Sequence, residues 1–288
     1  MKNKLLAYAL LLFSSIAIAQ NSDCSHQYAD GAAPSFSNRK LAAKTTQLCF
    51  EAFAIMHSGV THTPLWAGEH LTRARVASAR GMKRENTFHT EDYLPVSDRA
   101  ELRDYSRSGY DRGHMAPSGD MPTRSAQHES FSLANMIPQN PDNNQNLWEG
   151  IESAVRTLAT KRGSLYVLSG PIFEGASLKR LNGRVLVPTS IYKAVYDPNR
   201  QEAAAYITRN APGMDYEVVS IAELESRVGI NLFPAIPAHV KSTKMTLPEP
   251  TPSGFKNQRQ GYAHRGGFNE GTAISAYTIY RLGKRLFN

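Results

Sequence analysis

Between Ser108 and Arg156 the chain gathers seven side chains suited to phosphate chemistry. Asp111, Arg112 and His114 stand in the string SGYDRGHMAPSGD, and Asn135, Asn144, Glu152 and Arg156 follow in SLANMIPQNPDNNQNLWEGIESAVR. Cleaving a phosphodiester in water requires an activated water, charge relief on the phosphoryl oxygens and help for the departing oxygen. His114 is the candidate general base, because an imidazole ordinarily titrates near neutrality. Mg²⁺ takes oxygen ligands and keeps several waters, so the Asn144 amide oxygen with substrate phosphate suffices to hold it, and Glu152 can orient the waters it keeps. Arg112 and Arg156 supply phosphate contacts, and Arg84 is an upstream guanidinium placed to act as a transition-state clamp. Asp111 fixes local backbone or Arg112, and Asn135 braces the loop that carries the ligand. Taken singly, each has a blander reading: a structural histidine, a helix-capping asparagine, a solvated arginine. Their grouping favours the active site of a metal-dependent nuclease.

The elements that must position these groups can be read from punctuation and periodicity. Tyr110–Met115 reads as a short extended segment between Gly109 and Pro117, with Gly109 and Gly113 permitting sharp backbone turns. Ser125–Leu133 reads as a short helix, and Asn135–Pro138 leads into a loop rich in Asn and Pro. A helix capped by Asp142 or Asn143 runs to about Lys161 and stops before Gly163. At roughly 100° per residue, with Asn144 as zero, Leu147, Ile151, Val155 and Leu158 fall between about 300° and 20°, while Glu152 and Arg156 fall near about 80° and 120°. One side of that helix packs; the next sector carries the chemistry.

Upstream, the segment 24–39 reads as an irregular arm, Leu48–Met56 as a buried strand and Thr63–Thr72 as its hairpin partner across a turn at His57, Ser58 and Gly59. His57, His62 and His70 match no metal-ligand spacing and read as structural or surface histidines. Between Thr72 and Asp104 the chain is polar loop, and most of its arginines read as solvated surface. Downstream, SLYVLSGPIF, RVLVPTSIYKAVYD and EAAAYITRN are strands of a central sheet, and Ser220–Val228 is a serine-capped helix. From Thr246 the Pro, Gly and Arg content suggests a mobile basic tail until SAYTIYRLGKRLF.

Of 288 residues, 41% are hydrophobic and 20% charged, enough for a sizeable core. Without an internal repeat or clear linker, a single domain over 20–288 is expected. Residues 1–19 have the two lysines, short apolar run and Ala17-Ile18-Ala19 ending of a secretory signal peptide, too short to span a bilayer. The expected mature protein is therefore exported, periplasmic or secreted, with no membrane anchor. Cys24 and Cys49 are its only cysteines, and an even count in an exported chain favours a disulfide. The chain carries 33 basic and 25 acidic residues; without Lys2 and Lys4 the balance is +6, which suits a polyanionic partner. Nothing in the sequence argues for or against a homodimer or an inhibitor protein.

The string DRGH, with NMIPQ and NNQNLWEGIE downstream, resembles the DNA/RNA non-specific endonucleases of the ββα-metal, or His-Me finger, class, which includes secreted bacterial nucleases and endonuclease G. The resemblance covers most of the mature chain. It implies an α+β fold in which the ββα-metal motif packs on a central, mainly antiparallel sheet with flanking helices. It implies hydrolysis of DNA and RNA by a one-metal mechanism that leaves 5′-phosphate ends, with Mg²⁺, or Mn²⁺ or another divalent cation in its place. Position by position it makes His114 the general base, Asn144 the metal ligand, Glu152 the organiser of metal-bound water, Arg112 and Arg156 the phosphate contacts, Asn135 a supporting residue and Arg84 the transition-state arginine. An asparagine that some members carry a few residues before Asn135 is replaced here by Phe131. The competing expectations are a nucleic-acid-binding protein that does not hydrolyse, for uptake or attachment, and a phosphodiesterase restricted to small substrates or to one nucleic acid.

Overall fold

The structure, a computed structural model, describes residues 24–251. The expected signal peptide and the chain beyond Thr251, including SAYTIYRLGKRLF, lie outside the described residues. Nine strands matter to the site: β1 Thr45–Cys49, β2 Ala54–Ser58, β3 Thr63–Thr72, β4 Asp111–His114, β5 Met136–Gln139, β6 Ser164–Ile172, β7 Ser190–Asp197, β8 Glu202–Arg209 and β9 Tyr216–Val219. Four helices accompany them: α1 Arg73–Ala79, α2 Arg124–Ser130, α3 Glu149–Arg162 and α4 Ile221–Val228. Seven strands form one sheet in the order β9-β8-β7-β6-β3-β2-β1, every neighbouring pair antiparallel, while β4 and β5 pair separately. The architecture is α+β, as expected.

The middle of the sheet is covered on both faces, so its strands read as apolar runs rather than as alternation. All eight residues of β7 are buried. Ile191 and Val195 join the core shared with Leu147, Ile151, Val155 and Leu158 of the long helix. Tyr192, Ala194 and Tyr196 join the opposite core, with Ile221 and Leu224 of α4. The apolar sector read from the helical period is therefore the buried one, which fixes α3 across the sheet. Ser220 and Glu223 form a capping box that starts α4, and Gly163, at a φ of 96°, ends α3.

Several local expectations are corrected. Leu48–Met56 is not one strand: Phe50 and Phe53 stack 4.5 Å apart, and the Phe50 N–H donates to the Phe53 carbonyl, which turns the chain between β1 and β2. The turn then falls at 59–62, with His57 and Ser58 inside β2. The polar stretch after Thr72 opens with α1, capped by the Thr72 hydroxyl. Met136–Pro138 lie within β5, where a two-stranded ribbon tolerates the missing N–H of Pro138, and the Asn- and Pro-rich stretch that follows is helical from Pro141 rather than a loop. Residues 245–250 do not start a mobile tail: Met245, Leu247 and Pro250 are buried, and the Met245 N–H donates to the Ala203 carbonyl at the start of β8. Cys24 and Cys49 are disulfide-bonded, which ties the N-terminal arm to the end of β1. Among the described residues no helix is long and apolar enough to cross a membrane.

Candidate active site

The β4–β5 ribbon and the helix that follows it make the ββα unit, and its join is not a regular helix. Asn143–Trp148 are π-helical before α3 begins. A count of 100° per residue from Asn144 therefore fails over the first turns. A π segment at such a place is a common mark of a functional site. It is pinned from inside: Asn143, fully buried, accepts from Gln139 Nε2 at 2.9 Å and donates to Thr208 Oγ1 on β8 at 3.0 Å. Gly113 is required for a different reason from the turn expected of it. A Cβ there would stand 2.0 Å from Gln139 Oε1, so only glycine lets the Gln139 side chain cross beneath β4.

Arg84, Asp111, Arg112, His114, Asn144, Glu152 and Arg156 all line one cleft of about 820 Å³. Asn135 does not line it. Fully buried, Asn135 accepts from the Ala116 N–H and donates to the Ala116 and Ser130 carbonyls, all at 2.9 Å, and so clamps the chain that leaves His114.

His114 is 7% exposed, and its Nε2 is buried with no hydrogen-bond partner among the described residues. Burial first, then Arg84 and Arg112, push its pKa down to about 3, so the ring is neutral. Phe131 meets it edge to face at 4.8 Å, and Phe88 lies 5.8 Å away. Those two rings also seat the guanidiniums. Arg112 lies 4.0 Å from the Phe88 centroid, and Arg84 lies 5.1 Å from that of Phe131 and donates to Ser118 Oγ.

Asn144 donates through Nδ2 to Asp111 Oδ2 at 2.9 Å, and Gln145 Nε2 does the same. Asp111 therefore orients the Asn144 amide rather than Arg112, and leaves the Asn144 oxygen without a protein donor among the described residues. Arg156 spends a donor on Asp120 at 2.9 Å and stands 3.9 Å from Glu152 and from Glu149. At that range Glu152 gains attraction but no hydrogen bond. Burial, reinforced by Asp120 and Glu149, outweighs Lys193 and Arg156 and lifts its pKa to about 7.

A hard divalent cation fits this donor set: one amide oxygen held from behind by a carboxylate, with Glu149 and Glu152 lining the same cleft. Among the described residues no group of three His, Cys, Asp or Glu side chains could hold a metal, so a cation here would draw on water and phosphate as well. Sequence reading missed Ser118, Asp120, Gln145, Phe88 and Lys193. SGD directly after DRGHMAP hinted at the first two, and NNQNLW places Gln145 beside Asn144; Phe88 and Lys193 come near only through tertiary packing.

The family model described as "DNA/RNA non-specific endonuclease" matches residues 32–239. A Danio rerio protein named "Nuclease EXOG, mitochondrial" is 32% identical over 248 residues, 78% of this chain and 70% of that protein. "Nuclease C1" of Cunninghamella echinulata var. echinulata is 33% identical over 204 residues, covering 64% and 81%. A solved structure described as the EndoG/EndoGI complex, with the mechanism of EndoG inhibition, contains a chain that superposes with a TM-score of 0.63 at 26% identity, over 69% of this chain and 89% of that one.

Proposed function

This chain belongs to the DNA/RNA non-specific endonuclease family of metal-dependent nucleases, and we propose that it is an exported enzyme that cuts both DNA and RNA with Mg²⁺ and leaves 5′-phosphate ends. Support for the mechanism comes from one observation above all: the imidazole, the ligand amide, the carboxylate and three arginines face a single cleft. When bound beside Asn144, the cation supplies charge relief to the phosphoryl oxygens and a source of protons for the departing 3′ oxygen.

The remaining roles fall to the chain itself. His114 takes a proton from the attacking water on its neutral imidazole. Its low basicity in the free enzyme follows from burial and from two bare guanidiniums, and phosphate drawn onto Arg84 and Arg112 cancels part of that field, which raises the base strength when substrate arrives. Arg84 and Arg112 hold the phosphoryl oxygens as charge builds. Asp111 keeps the Asn144 oxygen turned to the cation, Glu152 orients its waters, and Arg156, anchored by Asp120, adds a phosphate contact.

Export is supported by the leader, whose lysines, apolar run and small-residue end differ from the amphipathic, Arg-rich pattern of a mitochondrial transit peptide, although relatives carry mitochondrial names. The disulfide agrees with an oxidising compartment. We assign residues 20–288 to one domain. The test is digestion of plasmid and RNA by mature protein in Mg²⁺ and in EDTA, with His114→Ala beside it. Expected are cleavage of both polymers, its loss in EDTA and 5′-phosphate termini. DNA that is shifted but uncut, or full activity in the variant, would overturn the reading.

A further inference from the structure

The arginines of the cleft are held in different ways. Arg156 is anchored by charge: it donates to the Asp120 carboxylate at 2.9 Å, so one donor and part of its field are already spent. The Arg112 guanidinium has no ion pair and no hydrogen bond among the described residues. What it has is a ring. Its Cζ lies 4.0 Å from the Phe88 centroid, the shortest cation–ring contact among the described residues. So close an approach to the centroid is possible only over the ring face, where the aromatic quadrupole attracts a cation and leaves all of its N–H donors for phosphate. A carboxylate in the same place would grip harder, but it would cancel the charge that cleavage draws on.

The seat is fixed by its surroundings. Arg112 and His114, two residues apart on β4, share one face of the ribbon. Phe88 reaches that face from the loop after α1, and backbone hydrogen bonds hold the loop in register: the His89 N–H donates to the Phe131 carbonyl at 3.3 Å, and the Leu133 N–H to the His89 carbonyl at 2.8 Å. A side-chain bond between Thr87 Oγ1 and His128 Nδ1, at 3.0 Å, ties the same loop to α2. Phe131 is fully buried and stands 4.8 Å from both Phe88 and His114, nearly perpendicular to each. Phe88 also packs against the small core cluster that holds Tyr105, Leu133 and Met136. The ring is therefore braced by its neighbours, with one face given to Arg112.

We propose that Phe88 is a positioning residue for phosphodiester cleavage: its ring face seats the Arg112 guanidinium as a neutral anchor, which fixes the arginine's orientation and leaves its charge and its donors for the phosphoryl oxygens. The proposal rests on the reading of Arg112 as a phosphate contact that strengthens as charge builds, and the experiment separates the two. In Mg²⁺-dependent plasmid cleavage, Arg112→Ala is expected to lose about a hundredfold in kcat; full activity there sinks the reading of Arg112 and this inference with it. Given an impaired Arg112→Ala, Phe88→Leu, which keeps an apolar side chain against the cluster but has no ring, is expected to lose about tenfold in kcat, with DNA affinity in EDTA within about twofold. Phe88→Tyr, which restores the face, should bring kcat back to within about twofold of the native enzyme. In the Arg112→Ala background Phe88→Leu should cost nothing further, because the group it positions is gone. The proposal is overturned by a folded Phe88→Leu with full kcat, by a loss carried in DNA affinity instead, which would make the ring a stacking surface for a base, by equal losses in Phe88→Leu and Phe88→Tyr, by multiplying losses in the double variant, or by failure of both Phe88 variants to fold.

Discussion

The β1–β3 hairpins and the ββα unit each bury a histidine, and the two rings look alike until their surroundings are followed. His57 on β2 is 1% exposed, with a pKa pushed down to about 4, chiefly by burial. His114 is 7% exposed and lowered to about 3, again chiefly by burial. In the hairpin, His57 Nε2 is bonded at 2.9 Å to the backbone carbonyl of Asp98, and no arginine cleft stands over it. In the ββα unit, His114 Nε2 has no described partner and the ring faces two guanidiniums seated on aromatic rings. A depressed imidazole pKa thus reports burial in both places. One nitrogen of each ring is buried without a hydrogen-bond partner among the described residues, Nδ1 in His57 and Nε2 in His114, so chemistry is marked by the surroundings, and only His114 lines the arginine-rich cleft.

The comparison is broken most directly by removing each ring. His114→Ala should lower kcat by about a thousandfold, within the range of a general base, with little change in Tm. His57→Ala should do the reverse, costing about 1–3 kcal/mol of stability through the hydrogen bond and packing it loses while the folded fraction cleaves normally. Initial rates and thermal melts on both variants decide it; a His57 variant as dead as the His114 variant would erase the distinction.

Acid separates the regions next. The unfolded His57 ring accepts a proton near its ordinary pKa of 6.5, whereas the folded ring refuses it down to about 4. Protons therefore favour the unfolded chain, and stability that is intact above 6.5 declines as pH falls through that window. The loss from this one ring is on the order of 3 kcal/mol once pH is below both values. His114 contributes with the same sign. Urea midpoints at pH 7 and pH 4.5 should fall much less in His57→Gln, whose amide can still donate to the Asp98 carbonyl; equal slopes in both proteins would count against it.

Two glycines sharpen the contrast. A Cβ on Gly59 would meet Asp98 at its carboxylate carbon, 2.6 Å, and at its Cβ, 2.7 Å, so the chain at Asp98 must yield, and Gly59→Ala should cost about 1–3 kcal/mol of stability while the folded fraction cleaves normally. A Cβ on Gly113 would meet Gln139, which is fully buried and holds Asn143 in the π segment. Gly113→Ala should cost about 1–3 kcal/mol of stability and a larger share of activity, since the ribbon can only yield by moving His114 or the π turn. Melts and rates on the pair give the answer, and an active, stable Gly113→Ala would show that the crossing is loose.

Legibility in the sequence divided along the same line. DRGH and the apolar period of the long helix are local signals, and they led to the right ribbon, the right buried face and a cleft that gathers His114, Asn144, Glu152 and Arg156. Serine and glycine punctuation likewise marked the start of α4 and the end of α3. The π turn was invisible because nothing in NNQNLW prescribes it; it follows from Asn143 reaching Thr208, a contact 65 residues away in sequence. The Phe50–Phe53 turn hid inside an apolar run because two stacked rings bend the chain without glycine or proline. Lys193 was unreadable for a related reason: in SIYKAVYD it looks like the one solvated position of a strand, and only strands on both sides and a helix above bury it.

The finest test of the contrast lies in two aspartates. Asp98 serves the hairpin through its backbone carbonyl, whereas Asp111 works through its carboxylate, accepting from both Asn144 and Gln145 at 2.9 Å. Asp111→Asn keeps the shape and one acceptor oxygen but removes the charge that strengthens both bonds and makes the Asn144 amide more electron-rich. A second consequence is freedom: an Asn144 amide less firmly held presents its nitrogen to the cation part of the time. The Mg²⁺ concentration for half-maximal rate should therefore rise about tenfold, with the rate at saturating Mg²⁺ much less affected. Asp98→Asn, with its backbone carbonyl intact, should leave that concentration within about twofold. If the Mg²⁺ requirement of Asp111→Asn stays where it was, the carboxylate is merely bracing the turn, and the ββα unit uses its acids as the hairpin does.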